Sequence, residues 1–132
     1  MAEKKNEKYI VMDLKAPFDS DYNKRYSEWA TRILWLDNKV VEGAFHFSCS
    51  WYLKPPTEHL QEHTHDYDEM LGFFGSNPED PYDLGGEVEL WLEDEQYSLT
   101  KSCLIFIPKG MKHCPMIIKH IDRPIFHLGG SI

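Results

Sequence analysis
Seven histidines are scattered through this sequence, and two of them stand where chemistry is easiest to imagine. The run His63-Thr64-His65-Asp66-Tyr67-Asp68-Glu69 reads His-x-His-x-x-x-Glu. On extended backbone alternate residues share a face, so His63 and His65 can point to one place. A short turn then brings Glu69 back towards it. Two imidazoles and a carboxylate are good donors for a borderline divalent metal. Farther along comes Pro108-Lys109-Gly110-Met111-Lys112-His113, or Pro-x-Gly-x-x-His. Pro and Gly make a tight turn at the end of an apolar strand, and His113 opens the next strand, from which it can reach across a barrel. The competing reading is a set of surface histidines on a loop.

The other reactive residues are weaker signals. His46 lies on the polar side of an alternating strand. If the apolar side packs outward, His46 faces a cavity and contacts substrate; otherwise it is a surface histidine. His127 alternates with Ile125 on the final strand, and Phe73 shares the parity of Glu69, so both are expected on the pocket wall. His59 and His120 are expected to face solvent. Cys114 follows His113 directly, and strand alternation turns it away from the metal, as a buried thiol. Asp66 and Asp68 read as loop groups beside the ligands. The four tryptophans read as packing residues. There is no phosphate-binding glycine loop, no nucleotide fingerprint and no Cys–His pair in a nucleophile context.

The elements that position these residues read as β. Tyr9–Leu14 is expected to be a first strand after a polar arm, and Ser20–Trp29 a helical turn or a structured loop, with Asp19 or Ser20 as the cap. From Ala30 onward short strands follow one another: around Ile33 and Trp35, Ala44–Leu53, Glu69–Phe74, Glu87–Leu92, Gln96–Thr100, Cys103–Ile107, His113–Ile121 and Pro124–Leu128. In Ala44–Leu53, Phe45, Phe47, Cys49 and Trp51 alternate with His46, Ser48, Ser50 and Tyr52. Glu93-Asp94-Glu95 reads as a hairpin turn, within an acidic run that reads as a solvated face. Residues 75–86, with two prolines and three glycines, read as a long loop whose composition forbids a central strand. Many short strands separated by turns indicate an all-β sandwich or barrel.

The two histidine-bearing motifs together resemble the signature of the cupins, over roughly Thr57 to Ile121. The resemblance implies a double-stranded β-helix, a jelly-roll-like barrel. It would span 30–132, with 1–29 an N-terminal extension holding the short helical segment. Carried over position by position, it implies metal ligands at His63, His65, Glu69 and His113, with substrate contacts expected at His46, Phe73 and His127. The ion would be Fe, Mn, Zn, Ni or Co. The function implied is a metal-dependent enzyme, a dioxygenase, isomerase or lyase acting on a small oxygenated or anionic molecule. A non-catalytic binding or sensing module is the alternative, because cupins host many activities. The resemblance also implies a homodimer.

Bulk properties narrow the partners. The 132 residues fit one domain. A net charge of −8 repels phosphate backbones and argues against nucleic acid, although Lys109 and Lys112 could meet a small anion. No apolar run approaches the ~20 residues of a membrane helix, and no signal peptide is visible, so a cytoplasmic protein is expected. Cys49, Cys103 and Cys114 then read as thiols, not as a disulfide framework.

Overall fold
The computed structural model describes residues 4–15, 20–58 and 61–131, with Ser20 described by its backbone alone. Asp19 and His59 lie outside them. Among the described residues one short helix, α1 (Ser20–Tyr26), precedes eight strands. These are β1 (Ala30–Leu36), β2 (His46–Tyr52), β3 (Glu69–Phe74), β4 (Asp83–Leu92), β5 (Glu95–Lys101), β6 (Cys103–Ile107), β7 (His113–Ile121) and β8 (Ile125–Ser131). All pair antiparallel. Five form one sheet in the order β1-β2-β8-β3-β6, and three form a second in the order β5-β4-β7. Among the described residues no helix is long and apolar enough to cross a membrane.

The sheets enclose Leu71, Phe73, Leu84, Val88, Leu90, Ile107, Met116, Ile118 and Ile125, all buried. Burying a side chain of this size contributes about 1.5–3 kcal/mol, so this layer carries much of the fold's stability. β2 reverses the usual rule. Its small polar residues turn inward, with Ser50 and Tyr52 buried, while Trp51 packs edge-on against Phe126 on the same sheet. An apolar stripe is therefore left on the outer surface, and the barrel interior along β2 is polar.

Three sequence expectations are corrected. Tyr9–Leu14 is not a strand: a 3-10 turn spans Glu7–Tyr9, and Tyr9, Ile10 and Met12 are exposed. Its β-propensity has no ladder to join, and propensity without a partner does not make a strand. The long loop is also shorter than expected. β4 begins at Asp83, inside the stretch whose glycines had argued against a strand, and it is the middle strand of its sheet. The glycines serve the strand here. The ladder is irregular between Asp83 and Val88, Gly85 has φ +73, and a Cβ on Gly86 would fall 2.5 Å from the His120 carbonyl oxygen. Glycine at a bulge permits both the kink and the close approach. The third correction concerns β7. Leu90 faces Met116 while Leu92 faces His113, so three steps on β7 oppose two on β4. A bulge at Cys114, with φ +74, absorbs the extra residue.

Candidate metal centre
The two histidine motifs are held together by backbone. His63 and His113 exchange both N–H···O=C bonds at 3.0 Å, an isolated bridge that fixes the two residues opposite each other. The Pro108–Met111 turn closes with Met111 N donating to Pro108 O. Its tip docks on the first motif: Gly110 N donates to His65 O at 2.9 Å, and Lys109 N to the Asp68 carboxylate at 2.9 Å. Gly110 sits at φ +85, where a side chain is disfavoured. Asp68 is thus a clamp between the motifs. Asp66 stays exposed, within 3.7 Å of the Lys109 ammonium.

Three of the four side chains, His65, Glu69 and His113, converge on one point, and His63 adjoins it. Glu69, first residue of β3, places Oε2 3.3 Å from His65 Nε2 and 3.3 Å from His113 Nε2. Those three residues form one compact donor group. His63 joins through His113: its ring centre lies 4.3 Å from that of His113 and 4.6 Å from that of His65. Two of the imidazoles are oriented by carbonyls. His63 Nδ1 lies 2.7 Å from Gln61 O, and His113 Nδ1 lies 3.0 Å from Met111 O. A carbonyl only accepts, so each Nδ1 carries the proton and each Nε2 presents a lone pair in the neutral ring. The ring of His65 stacks on Tyr67, and burial lowers its pKa, opposed by the Glu69 charge.

These donors fit a divalent ion. Glu69 Oε2 and His113 Nε2 are both buried, and neither has a hydrogen-bond partner. Buried polar atoms are normally paired. Two facing lone pairs repel unless a proton or a cation lies between them.

A cavity of about 180 Å³ opens on this point, and its wall includes His46, Ser48, Tyr52, Met116 and His127. His46 packs on Trp35 with ring centres 4.4 Å apart, and burial lowers its pKa. His127 stacks on Tyr52 at 4.7 Å and donates from Nδ1 to Gly72 O at 3.0 Å. Burial pulls its pKa down to about 4, so it is neutral at pH 7 and keeps Nε2 as an acceptor. Phe73 is placed elsewhere. It is 0% exposed, packs behind His127 with ring centres 4.7 Å apart, and lines neither this cavity nor its neighbour. It supports the wall from the core. His120 is half exposed beside Asp122 and Glu87.

A second cavity, about 290 Å³, adjoins the first through Ser48, Tyr52, Met116 and His127. It lies under α1 and adds Arg25, Tyr26, Trp29 and Arg32. Tyr26 donates its hydroxyl proton to Ser50 at 2.7 Å, and the Arg32 guanidinium lies 4.1 Å from the Tyr26 ring centre. The motifs gave no notice of these residues. The available signal was parity: Arg32 follows the buried Ala30 by two positions on β1, so a cation turns inward there. Cys114 was also misplaced by the sequence reading. The β7 bulge turns it to the same side as His113, and it lines the first cavity.

No protein-family model matches the chain, and no curated protein matches its sequence. Solved structures do match its fold. The cupin domain of Cnp3 from Schizosaccharomyces pombe superposes with a TM-score of 0.50 at 10% identity, over 77% of this chain and 60% of that one. A cupin protein from Bacteroides fragilis gives 0.49 at 16% identity, over 93% and 86% of the two chains. KdgF from Halomonas sp. gives 0.48 at 14%, over 78% and 77%. Identities this low concern architecture and nothing else. With its two facing antiparallel sheets and its strand order, this chain is a cupin in fold.

Proposed function
We propose that the chain is a metal-dependent cupin enzyme that holds one divalent transition metal on His63, His65, Glu69 and His113 and acts on a small oxygenated anion. The observation that carries this reading is the buried pair Glu69 Oε2 and His113 Nε2, 3.3 Å apart and without hydrogen bonds. A divalent ion at that point would polarise a bound oxygen as a Lewis acid or, if redox-active, support oxidation.

The remaining chemistry belongs to the chain. Arg25 and Arg32 outnumber the one carboxylate, Glu58, in the second cavity of a protein whose net charge is −8, which favours an anionic end there. Tyr26, Trp29 and Tyr52 offer flat faces for the body of a planar molecule. His127, neutral and fixed by Gly72, accepts a hydrogen bond from a substrate hydroxyl and keeps its orientation. The apolar stripe outside the larger sheet supports a further part of the proposal, a homodimer. Leu104 and Phe106 on β6 are 66% and 64% exposed. Phe45, Phe47, Met70 and Phe106 surround a hollow of about 230 Å³ beside them.

The test is metal analysis of protein purified without added metal, alongside His65→Ala and His113→Ala. Near-stoichiometric metal in the parent and a loss of about tenfold or more in each variant is expected. An unchanged metal-to-protein ratio in both variants would overturn the assignment. Oxygen-uptake and turnover assays on hydroxy-acids, keto-acids and phenolates then separate the reaction classes.

A further inference from the structure
Cys114 sits where β-strand alternation would not put it. Neighbours on a strand face opposite ways, yet His113 and Cys114 are both buried, at 2% and 3% exposure, and both line the cavity at the candidate metal centre. The bulge between the Leu90 and Leu92 pairings places them on one side. A donor atom from each of His63, His113 and Cys114 lies within 4.8 Å of the other two. His113 also aims a buried Nε2 with no hydrogen-bond partner into the cavity. Two donor groups therefore share His113. One is His65, Glu69 and His113, with nitrogen and oxygen; the other is His63, His113 and Cys114, with nitrogen and sulfur.

We propose that Cys114 is a metal ligand, so that His63, His113 and Cys114 form a soft face for a thiophilic divalent ion. This rests on the proposed metal reading of the centre and adds a donor to it. Ligation breaks the S–H bond, releases the proton to water and forms a metal–sulfur bond, with no change of oxidation state. Thiolate favours zinc, cobalt and cadmium, whereas carboxylate favours manganese and magnesium. A centre with both faces sorts ions by softness. Hard ions rest on the Glu69 side, and soft ions on the Cys114 side. Among the described residues neither Cys49 nor Cys103 belongs to such a group.

The probe is cobalt(II), added to the purified full chain after chelation and followed by absorption. Wild type should bind one equivalent and develop the thiolate-to-cobalt charge-transfer band in the near ultraviolet. Cys114→Ser should still bind cobalt through the remaining donors but lack that band. Its cadmium affinity should fall about a hundredfold while its manganese affinity stays unchanged. Cobalt bound by wild type without the band overturns Cys114 as a ligand and leaves the metal centre standing. The band persisting in Cys114→Ser also overturns it, because another thiol would then be responsible. No cobalt binding at all overturns both readings together.

Discussion
The histidines divide by what their Nδ1 atoms meet. His63 and His113 are oriented by the carbonyls of Gln61 and Met111 towards a shared point, and His127 by the carbonyl of Gly72 towards the cavity. His127 also has a consequence for stability. Its folded pKa is depressed to about 4 from the usual 6.5 because burial disfavours the cation. Between those values the unfolded chain binds more protons than the folded one, so stability rises with pH. The contribution is complete above about pH 6.5 and is lost as pH falls towards 4. In denaturant titrations of metal-free protein, the stability advantage of wild type over His127→Asn should shrink across that window. An advantage that does not vary with pH would remove this account. At the same scale, the meeting of His65, Glu69 and His113 was open to reading, because His-x-His-x-x-x-Glu and Pro-x-Gly-x-x-His carry their geometry locally. Phe73 was not, since shared parity with Glu69 says which sheet face it takes but not how deep it lies.

Strand positions from β1 onward followed from alternation and turn residues, and Glu69–Phe74, Cys103–Ile107 and His113–Ile121 were legible to the residue. Register was the hidden part. Cys114 and the start of β4 were both misread at bulges, where one strand gains a residue and the period of two is interrupted. Such irregularities depend on the partner strand, so a single stretch of sequence does not announce them. The turn before β7 shows how an element sets the centre's geometry. Gly110 has open space around its missing Cβ, so Gly110→Ala should cost only backbone strain, about 1–2 kcal/mol. Because this turn docks on His65 and leads into His113, the same variant should also release metal faster. Equilibrium unfolding and a metal-transfer assay would check both effects, and wild-type values in both would count against the turn's role.

For the whole molecule, the inversion of β2 governs what each side of the larger sheet can do. Small polar residues turned inward leave room for cavities on both sides of Ser48, and aromatic residues turned outward leave an apolar exterior. If that exterior is the dimer contact, Phe106→Asp should shift the sedimentation profile from dimer to monomer without loss of secondary structure. A monomeric wild type, or a variant that stays dimeric, would place the contact elsewhere or nowhere. The cavity under α1 was not legible in the sequence because its wall is assembled from α1, β1, β2, the segment after β2, β7 and β8, no two residues of which form a recognisable motif.

The reciprocal His63–His113 bridge, with the docking of Gly110 and Lys109 on the first motif, is made of main-chain groups and the one carboxylate of Asp68. The two motifs are therefore fastened to each other independently of the imidazoles they carry. Truncating His63, His65 or His113 to Ala removes a donor while leaving this fastening intact, so each ring can be taken away without parting the two motifs.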